Sequence, residues 1–240
     1  IVSETRSAEY FYDPLGRRAA KRITVGGSTF TQSYSHLGTE DRILLAKNGV
    51  GEVSLYLDGQ GIDEHLGHVT QAGAKAYVTD HLGSVLNTEV AGSAKVHGPW
   101  GELLGATPVI TATSNPVEYG FTGRQWDAES WLYYYRARQY DPAIGRFLSR
   151  DPISFLGQDV NLYRYTKNSP VLYIDPYGLW NIKPGVDPDV INQEISGIET
   201  TVDNAYIAYT DRVAVVTSTT EGKHGVNSLH YQGDAVDLRA

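Results

Sequence analysis

The fold is decided by two runs in the middle of the chain, Trp131-Leu132-Tyr133-Tyr134-Tyr135 and Tyr140-Asp141-Pro142-Ala143-Ile144-Gly145-Arg146. The first run is dominated by aromatic residues, which favour β-strands. The second is a turn, because Asp accepts backbone hydrogen bonds at its start, Pro presets φ and Gly takes the left-handed position at its end. Together they predict a strand that leads into a tight turn.

The same combination of strand and turn recurs outward from this point. Other strand-prone segments, bounded by Gly, Pro, Asp or Asn, are Glu9–Tyr12, Glu52–Leu57 and Lys75–Thr79. Other turns in which Gly closely follows Asp lie at Tyr12–Arg17 and Tyr77–Ser84. We take Asp13, Asp80 and Asp141 as structural turn residues. One turn unit repeated at irregular intervals predicts a mainly β fold for the first three quarters of the chain, arranged as a stacked array.

Composition limits the classes of protein that need be considered. The chain has 240 residues, of which 41% are hydrophobic and 20% charged, an ordinary globular balance. Its net charge of −8 argues against a nucleic-acid-binding surface. No run approaches the roughly 18 apolar residues of a membrane span. The absence of cysteine excludes disulfides, and the absence of methionine leads us to expect a fragment of a longer protein.

A dense set of motifs occupies the third quarter of the chain. They are Gly120–Asp127, Leu132–Pro142, Gly145–Ile153, Asn161–Tyr165 and Pro170–Leu179. On these motifs residues 1–179 resemble the RHS/YD-repeat proteins, and the motifs themselves resemble the RHS-associated core. The resemblance implies a hollow β-shell that the core plugs at one end, with a variable toxin domain held inside. It predicts a YD-repeat β-shell segment at residues 1–119, a core with an autocleavage site at 120–179 and a toxin domain from 180.

The resemblance also implies that the core cuts its own backbone after an Asp-Pro-any-Gly-Leu sequence. This chain has that sequence at Asp175–Leu179, so the expected cut lies between Leu179 and Trp180. The family's chemistry is of the aspartic protease type and implies a pair formed by Asp151 and Asp175, with Arg150 placed to tune them. Two neighbouring carboxylates cannot both ionise comfortably, so one keeps a proton and acts as acid while the other activates water.

The upstream half of this site departs from the family pattern. The motif usually reads Asp-Pro-Ile-Gly, and this chain has Ser154 in place of the glycine, a change at the turn that leaves both carboxylates present. Asp159 is a weaker candidate, because no Pro or Gly fixes its direction. The alternative interpretation is structural, since Asp-Pro pairs are good turn formers in their own right.

After Leu179 the pattern changes to an α+β one. Asp187-Pro188 provides an N-cap and a first-turn proline, and apolar residues at three- and four-residue spacing from Val190 to Tyr209 predict a helix. A β-branched run at Arg212–Thr217 predicts a strand, followed by a polar loop to Gly222. This order is typical of a small α+β hydrolase.

The last motif, Ser228–Asp237, carries residues that suit zinc. A histidine and an aspartate are ordinary zinc ligands, and a catalytic zinc usually takes three protein ligands and a water. The motif matches Ser-any-His-any-any-Gly-any-Ala-any-Asp at every fixed position and resembles the D-Ala-D-Ala metallopeptidases and the Hedgehog domain. The resemblance implies that His230 and Asp237 bind Zn²⁺, while His224 and Ser228 face the substrate or support the ligands.

The same families place a further histidine ligand and a general-base glutamate later in the sequence. Neither falls within this chain, so residues 180–240 are expected to be the N-terminal part of a truncated zinc peptidase-like domain. The alternative interpretation is that His230 and Asp237 are surface loop residues that bind no metal.

Three functions from different classes follow. We favour the C-terminal portion of a self-processing RHS-type toxin that releases a zinc-dependent peptidase-like effector acting on peptidoglycan peptides. The alternatives are a non-cleaving shell and interaction protein, and a Hedgehog-like module in which zinc stabilises a binding domain without hydrolysis. The favoured function implies a secreted or delivered bacterial effector. Its expected partners are the rest of the RHS shell, delivery machinery and an immunity protein, with no nucleic acid.

The zinc motif generates a first prediction. Because two ligands leave a zinc site incomplete, we expect this 240-residue chain to bind Zn²⁺ weakly or not at all. Equilibrium dialysis followed by elemental analysis measures the metal content, and the His230→Ala variant is the control for adventitious binding. Tight, stoichiometric zinc that depends on His230 would contradict the prediction.

Overall fold

Seven consecutive strands pair antiparallel, each with the next, in one meandering sheet. The computed structural model describes residues 6–86, 95–104, 110–154, 159–179, 181–182 and 184. The strands of the meander are β1 (Arg6–Tyr12), β2 (Arg18–Val25), β3 (Ser28–His36), β4 (Ile43–Lys47), β5 (Val53–Asp58), β6 (His65–Thr70) and β7 (Gly73–Ala76). The mainly β prediction is therefore confirmed, and no α-helix occurs in the described ranges.

The meander buries one of its two faces. Along β5 the side chains of Ser54 and Tyr56 are buried, whereas Val53 and Leu57 are exposed, because successive strand residues point to opposite faces. Side chains of the buried face pack with later residues of the chain in one hydrophobic cluster, whose members are Tyr34, Ile43, Ala46, Tyr56, Val85, Val117 and Tyr119. Tyrosines rather than aliphatic residues therefore supply much of this core.

The Asp-containing turns join neighbouring strands as the sequence predicts. Asp13 Oδ1 accepts the backbone N–H groups of Leu15 and Arg17, both at 2.9 Å. Gly16 has φ +78°, a left-handed conformation that glycine adopts without strain. The turn that begins at Asp80 uses the same two side-chain hydrogen bonds. The structural role predicted for these two aspartates is confirmed.

Further along the chain the strands become short. They are β8 (Val96–His97), β9 (Leu103–Leu104), β10 (Gln125–Asp127), β11 (Leu132–Tyr135), β12 (Arg138–Asp141) and β13 (Arg146–Phe147), with 3-10 turns at Phe121–Gly123 and Thr166–Asn168. β8 pairs with β9, β10 with β11, and β12 with β13, each antiparallel. These short hairpins match the closely spaced turn signals of the third quarter.

A buried charge cluster connects β2 to β10. Both terminal nitrogens of Arg18 donate to Asp127, at 2.8 and 2.9 Å. Lys21 Nζ lies 3.2 Å from Asp127 and 3.1 Å from Glu129, and all four side chains are buried. The Arg18 guanidinium also lies over the ring of Tyr134, 3.8 Å from its centroid. Burial alone would raise the pKa of Asp127, but Arg18 and Lys21 outweigh it and lower that pKa.

The described residues form two compact units. The first comprises the chain up to Gly59 and Asp63–Tyr134, and the second comprises Gln60–Ile62 and the described residues from Tyr135 onward. The units therefore divide the chain after Tyr134, whereas the predicted shell and core segments meet at residue 120. Tyr119 belongs to the buried cluster of the first unit, which explains why the structural division comes later.

The second unit is organised around four fully buried aromatic rings. They belong to Tyr135, Tyr140, Phe147 and Tyr165. The ring centroids of Tyr140 and Tyr165 are 4.5 Å apart, and Tyr135 meets Tyr140 edge-on at 5.4 Å. Such aromatic pairs contribute roughly 0.5–1.5 kcal/mol each beyond the area they bury. The candidate site described below packs against this cluster through Phe147.

Among the described residues, no helix has the length and apolar content needed to cross a bilayer. The helix and strand predicted after Asp187 lie outside the described residues.

The buried charge cluster generates a second prediction. We expect Asp127→Asn to lower the free energy of unfolding by about 3–5 kcal/mol, because it takes the carboxylate partner from the buried Arg18 and one of two from Lys21. The matched control is Glu9→Gln, which breaks the exposed pair with Arg22 and is expected to cost under about 1 kcal/mol. Urea unfolding measures both variants.

The pKa of Asp127 predicts how the stability of the parent and of the Asp127→Asn variant depends on pH. The folded-state pKa of Asp127 is lowered, so its contribution is present above the unfolded-state pKa and is lost as pH falls through the folded-state pKa. We therefore expect the parent to lose more stability than Asp127→Asn on acidification. Equal losses in the two proteins would contradict this assignment.

Candidate active site

The predicted cleavage motif lies in a loop that is closed by a pair of backbone hydrogen bonds. Ile174 N–H donates to Ile182 O at 2.9 Å, and Ile182 N–H donates to Ile174 O at 2.8 Å. Within the loop, Leu179 N–H donates to Asp175 Oδ1 at 2.9 Å. The residue before the predicted cut is therefore held against the carboxylate that the motif supplies.

Gly178 explains why the motif requires glycine at its fourth position. Its φ of +67° is left-handed. A Cβ at this position would lie 2.5 Å from Tyr135 O and 3.3 Å from Arg138 N, so the neighbouring backbone leaves no space for a side chain. The close approach lets the Gly178 carbonyl accept a 2.5 Å hydrogen bond from Arg138 Nε.

Arg138 lies between the two predicted catalytic carboxylates. Its Nη1 is 3.1 Å from Asp151 Oδ2, and its Nη2 is 3.1 Å from Asp175 Oδ2. Nη1 also donates to Leu162 O at 3.3 Å, and the guanidinium lies over the Phe147 ring, 3.6 Å from its centroid. The side chains of Arg138, Asp151 and Asp175 are only 3%, 8% and 1% exposed. One guanidinium therefore fixes both carboxylates in a nearly dry site.

The sequence motifs indicate the two aspartates but not the arginine that joins them. Asp151 and Asp175 are far apart in sequence and meet on Arg138 as the resemblance implies. Arg150, which was expected to tune them, is exposed, and Arg138 has the position that was assigned to it. The alternation of residues along β12 indicates Arg138, because it places Arg138 on the same buried face as Tyr140. A buried arginine needs anionic partners.

The two carboxylates have matching partners. Each contacts one terminal nitrogen of Arg138 and accepts one backbone N–H, that of Ile153 at Asp151 and that of Leu179 at Asp175. Burial raises the pKa of Asp151, and the opposing effects of Arg138 and of the Ile153 N–H do not cancel that rise. The raised pKa suits Asp151 to hold a proton while Asp175 acts as base.

A polar pocket opens beside the pair. Its lining includes Asp151, Ser154, Asp159, Asp175, Leu179 and Asn181. About 10 Å³ of it is open to the centre of a water molecule, which is room for about one water. The pocket therefore has room for a single water beside Asp151, Asp175 and Leu179.

Ser154 occupies the position where the family has glycine. Its φ of +56° is in the left-handed region, which a serine adopts only with strain. The turn closes nonetheless, with Ser154 N–H donating to Asp151 O at 2.9 Å and Ile153 N–H donating to Asp151 Oδ1 at 3.0 Å. Ser154 therefore adopts a strained turn, and Asp151 contacts Arg138 with the serine in place.

The remaining predicted site residues lie outside the described residues. They are Trp180, His224, Ser228, His230 and Asp237. In the part of the chain that the structure describes, no three His, Asp or Glu side chains converge in a way that could hold a metal ion. The zinc assignment therefore depends on sequence alone.

A β-meander of YD-type turns followed by an aromatic core defines a YD-repeat shell protein. Residues 2–171 match the Teneurin YD-shell family, and the chain belongs to that family.

Relatives extend this assignment. The chain is 36% identical over 211 residues to double-stranded DNA deaminase toxin A of Burkholderia cenocepacia (strain H111), covering 74% of this chain and 14% of that protein. It is 30% identical over 187 residues to the probable deoxyribonuclease RhsA of Dickeya dadantii (strain 3937), covering 71% of this chain and 12% of that protein. These names support an RHS/YD-repeat polymorphic toxin, and they point to deaminase and nuclease activities rather than to a peptidase.

A solved structure agrees with the fold. The TcdB2-TccC3-Cdc42 structure superimposes with a TM-score of 0.53 at 27% identity, over 72% of this chain and 9% of that chain. The chain thus spans less than a fifth of each of these three relatives.

The glycine of the cleavage motif generates a third prediction. We expect Gly178→Ala to destabilise the chain far more than Gly16→Ala, its matched control. Both glycines have left-handed φ, but a Cβ at Gly16 meets nothing within 4 Å. The control therefore measures the conformational strain alone, about 1–2 kcal/mol.

Both variants are compared by urea unfolding in an Asp151→Asn background, which removes the predicted self-cleavage from the measurement. Equal destabilisation would show that the close contact with Tyr135 O has no energetic consequence.

Proposed function

We propose that the chain is the C-terminal portion of a self-processing RHS-type toxin whose core cuts the bond between Leu179 and Trp180. The observation that carries this proposal is the joining of Asp151 and Asp175 by Arg138, directly beside the Leu179 loop. The domain assignment stays as predicted, with a shell segment at residues 1–119, a core at 120–179 and the start of an effector domain at 180–240.

The proposed chemistry assigns a different role to each carboxylate. Asp175 takes a proton from a water as that water attacks the Leu179 carbonyl carbon, and Asp151 gives its proton to the carbonyl oxygen. The tetrahedral intermediate then collapses and the carbon–nitrogen bond breaks. The Trp180 nitrogen takes the proton from Asp175, and a hydroxyl proton returns to Asp151. The products are a Leu179 carboxylic acid and a free Trp180 amine.

Arg138 is the positioning residue of this reaction. It fixes both carboxylates and the Gly178 carbonyl before the reaction begins, so little reorganisation is needed during it. Its charge also compensates for bringing two acidic groups into a nearly dry site.

The effector that begins at residue 180 is proposed to be a zinc-dependent peptidase-like domain. The match of Ser228–Asp237 to every fixed position of the metallopeptidase motif supports this, with His230 and Asp237 as Zn²⁺ ligands. The deaminase and nuclease names of the relatives do not conflict with it, because the family match ends at residue 171. The proposed substrate is a peptidoglycan peptide. The proposed partners are the rest of the shell, delivery machinery and an immunity protein.

The fourth prediction tests self-cleavage through the mass of the denatured protein. In its natural flanking sequence, we expect the parent to be split between Leu179 and Trp180 and the Asp151→Asn and Asp175→Asn variants to stay whole. We expect Arg138→Lys to slow the cut by about 100-fold or more, since misplaced reacting groups lose rate by that order. Arg150→Lys is the matched control and is expected to be split like the parent.

A parent that stays whole would overturn the proposal and favour the non-cleaving shell protein. Ser154→Gly then shows whether the strained turn is the reason, because it restores the usual motif and relieves the left-handed serine.

A further inference from the structure

A second charge pair borders the candidate active site. Arg164 Nε donates to Asp159 Oδ2 at 2.5 Å, and Arg164 Nη2 donates to Asp159 Oδ1. Arg164 and Asp159 both line the pocket that contains Asp151 and Asp175. The proposed reaction has no step for this pair, although it places a third carboxylate in a pocket that already holds two.

The backbone holds this pair in a fixed position next to Asp151. Leu162 O accepts the Asp151 N–H at 2.9 Å, and Tyr163 O accepts the Phe147 N–H at 2.9 Å. At the start of the segment, Asp159 Oδ1 accepts the Asn161 N–H at 2.8 Å. The Asp159 carboxylate therefore cannot swing away from the pocket without breaking a local turn.

We propose that the Asp159–Arg164 pair sets the pH range in which the core cleaves itself, with Arg164 masking the Asp159 charge from Asp151. Asp159 and Arg164 are thus positioning residues that act through Asp151. This inference rests on the proposed self-cleavage.

The charges around Asp151 give the proposal its direction. Among the described residues, the charged groups that line the same pocket as Asp151 are Arg138, Asp175, Asp159 and Arg164. Burial is the largest cause of the raised pKa of Asp151, and the negative charge of Asp159 raises that pKa further. The Arg164 guanidinium forms two hydrogen bonds with Asp159 and offsets its negative charge. Arg164 therefore reduces the effect of Asp159 on the pKa of Asp151.

Substitutions at the pair should move the pH profile in opposite directions. Arg164→Gln leaves Asp159 unmasked, so Asp151 keeps its catalytic proton to a higher pH and the alkaline limb of the profile moves up. Asp159→Asn removes the negative charge and leaves Arg164 unpaired, so the alkaline limb moves down. We expect shifts of about half a pH unit or more, the size of the effect of one nearby charge at an effective dielectric constant between those of water and of the protein interior.

The experiment uses the full-length natural protein, purified uncleaved in denaturant and refolded into buffers across the titration range of Asp and His. The first-order rate of the cut after Leu179 is measured by mass at each pH. The double variant Asp159→Asn with Arg164→Gln removes both charges at once. We expect its profile to return close to that of the parent, a coupling that loss of two independent structural contacts would not produce.

The outcomes separate this inference from the function on which it rests. A parent that never splits overturns the proposed self-cleavage. A parent that splits while both single variants reproduce its pH profile, or shift it in the same direction, overturns the role of the pair and leaves self-cleavage standing.

A second measurement covers variants that refold poorly. In an uncleavable Asp175→Asn background, the carboxyl-carbon NMR titration of Asp151 is expected to move up with Arg164→Gln and down with Asp159→Asn. An unmoved titration in both would overturn the inference without reference to the cleavage rate.

Discussion

The Arg138 guanidinium is the interaction on which the second unit depends. It donates to Asp151, to Asp175 and to the carbonyls of Gly178 and Leu162, so three separate segments of the chain meet on one side chain. Burial opposes this charge and lowers the pKa of Arg138, although the two aspartates act in the opposite direction. An arginine so nearly buried is tolerable only when its donors are satisfied. The requirement for anionic partners thus fixes the geometry of the site.

The aromatic cluster makes this arrangement rigid. The Phe147 ring lies under the guanidinium, and Tyr135, Tyr140 and Tyr165 surround that ring. Close-packed rings admit few alternative rotamers. The stacking of Arg138 on Phe147 therefore restricts the arginine in addition to its hydrogen bonds. The tyrosine-rich composition that first indicated strands therefore also has a function in the site.

How far the sequence could predict this structure depends on how local each signal is. The turn at Asp13 was predictable, because its hydrogen bonds and its glycine lie within five consecutive residues. The alternation along β12 indicates that Arg138 is buried, but its partners and those of Arg18 could not be predicted, because packing brings them together from positions distant in sequence. The tuning role of Arg150 was implied by the family resemblance, and the structure instead leaves Arg150 exposed while Arg138 contacts both aspartates. The motif at Ser228–Asp237 remains a sequence-level signal, since it lies outside the described residues.

The paired backbone of Ile174 and Ile182 has a consequence for what a cut after Leu179 achieves. The two hydrogen bonds of this pair straddle the predicted scissile bond, and both isoleucines are buried. The proposed cut would leave Ile182 hydrogen-bonded to Ile174, on the other side of the scissile bond. Scission and release of the downstream piece would then be two separate events, and release would require these two hydrogen bonds to break as well.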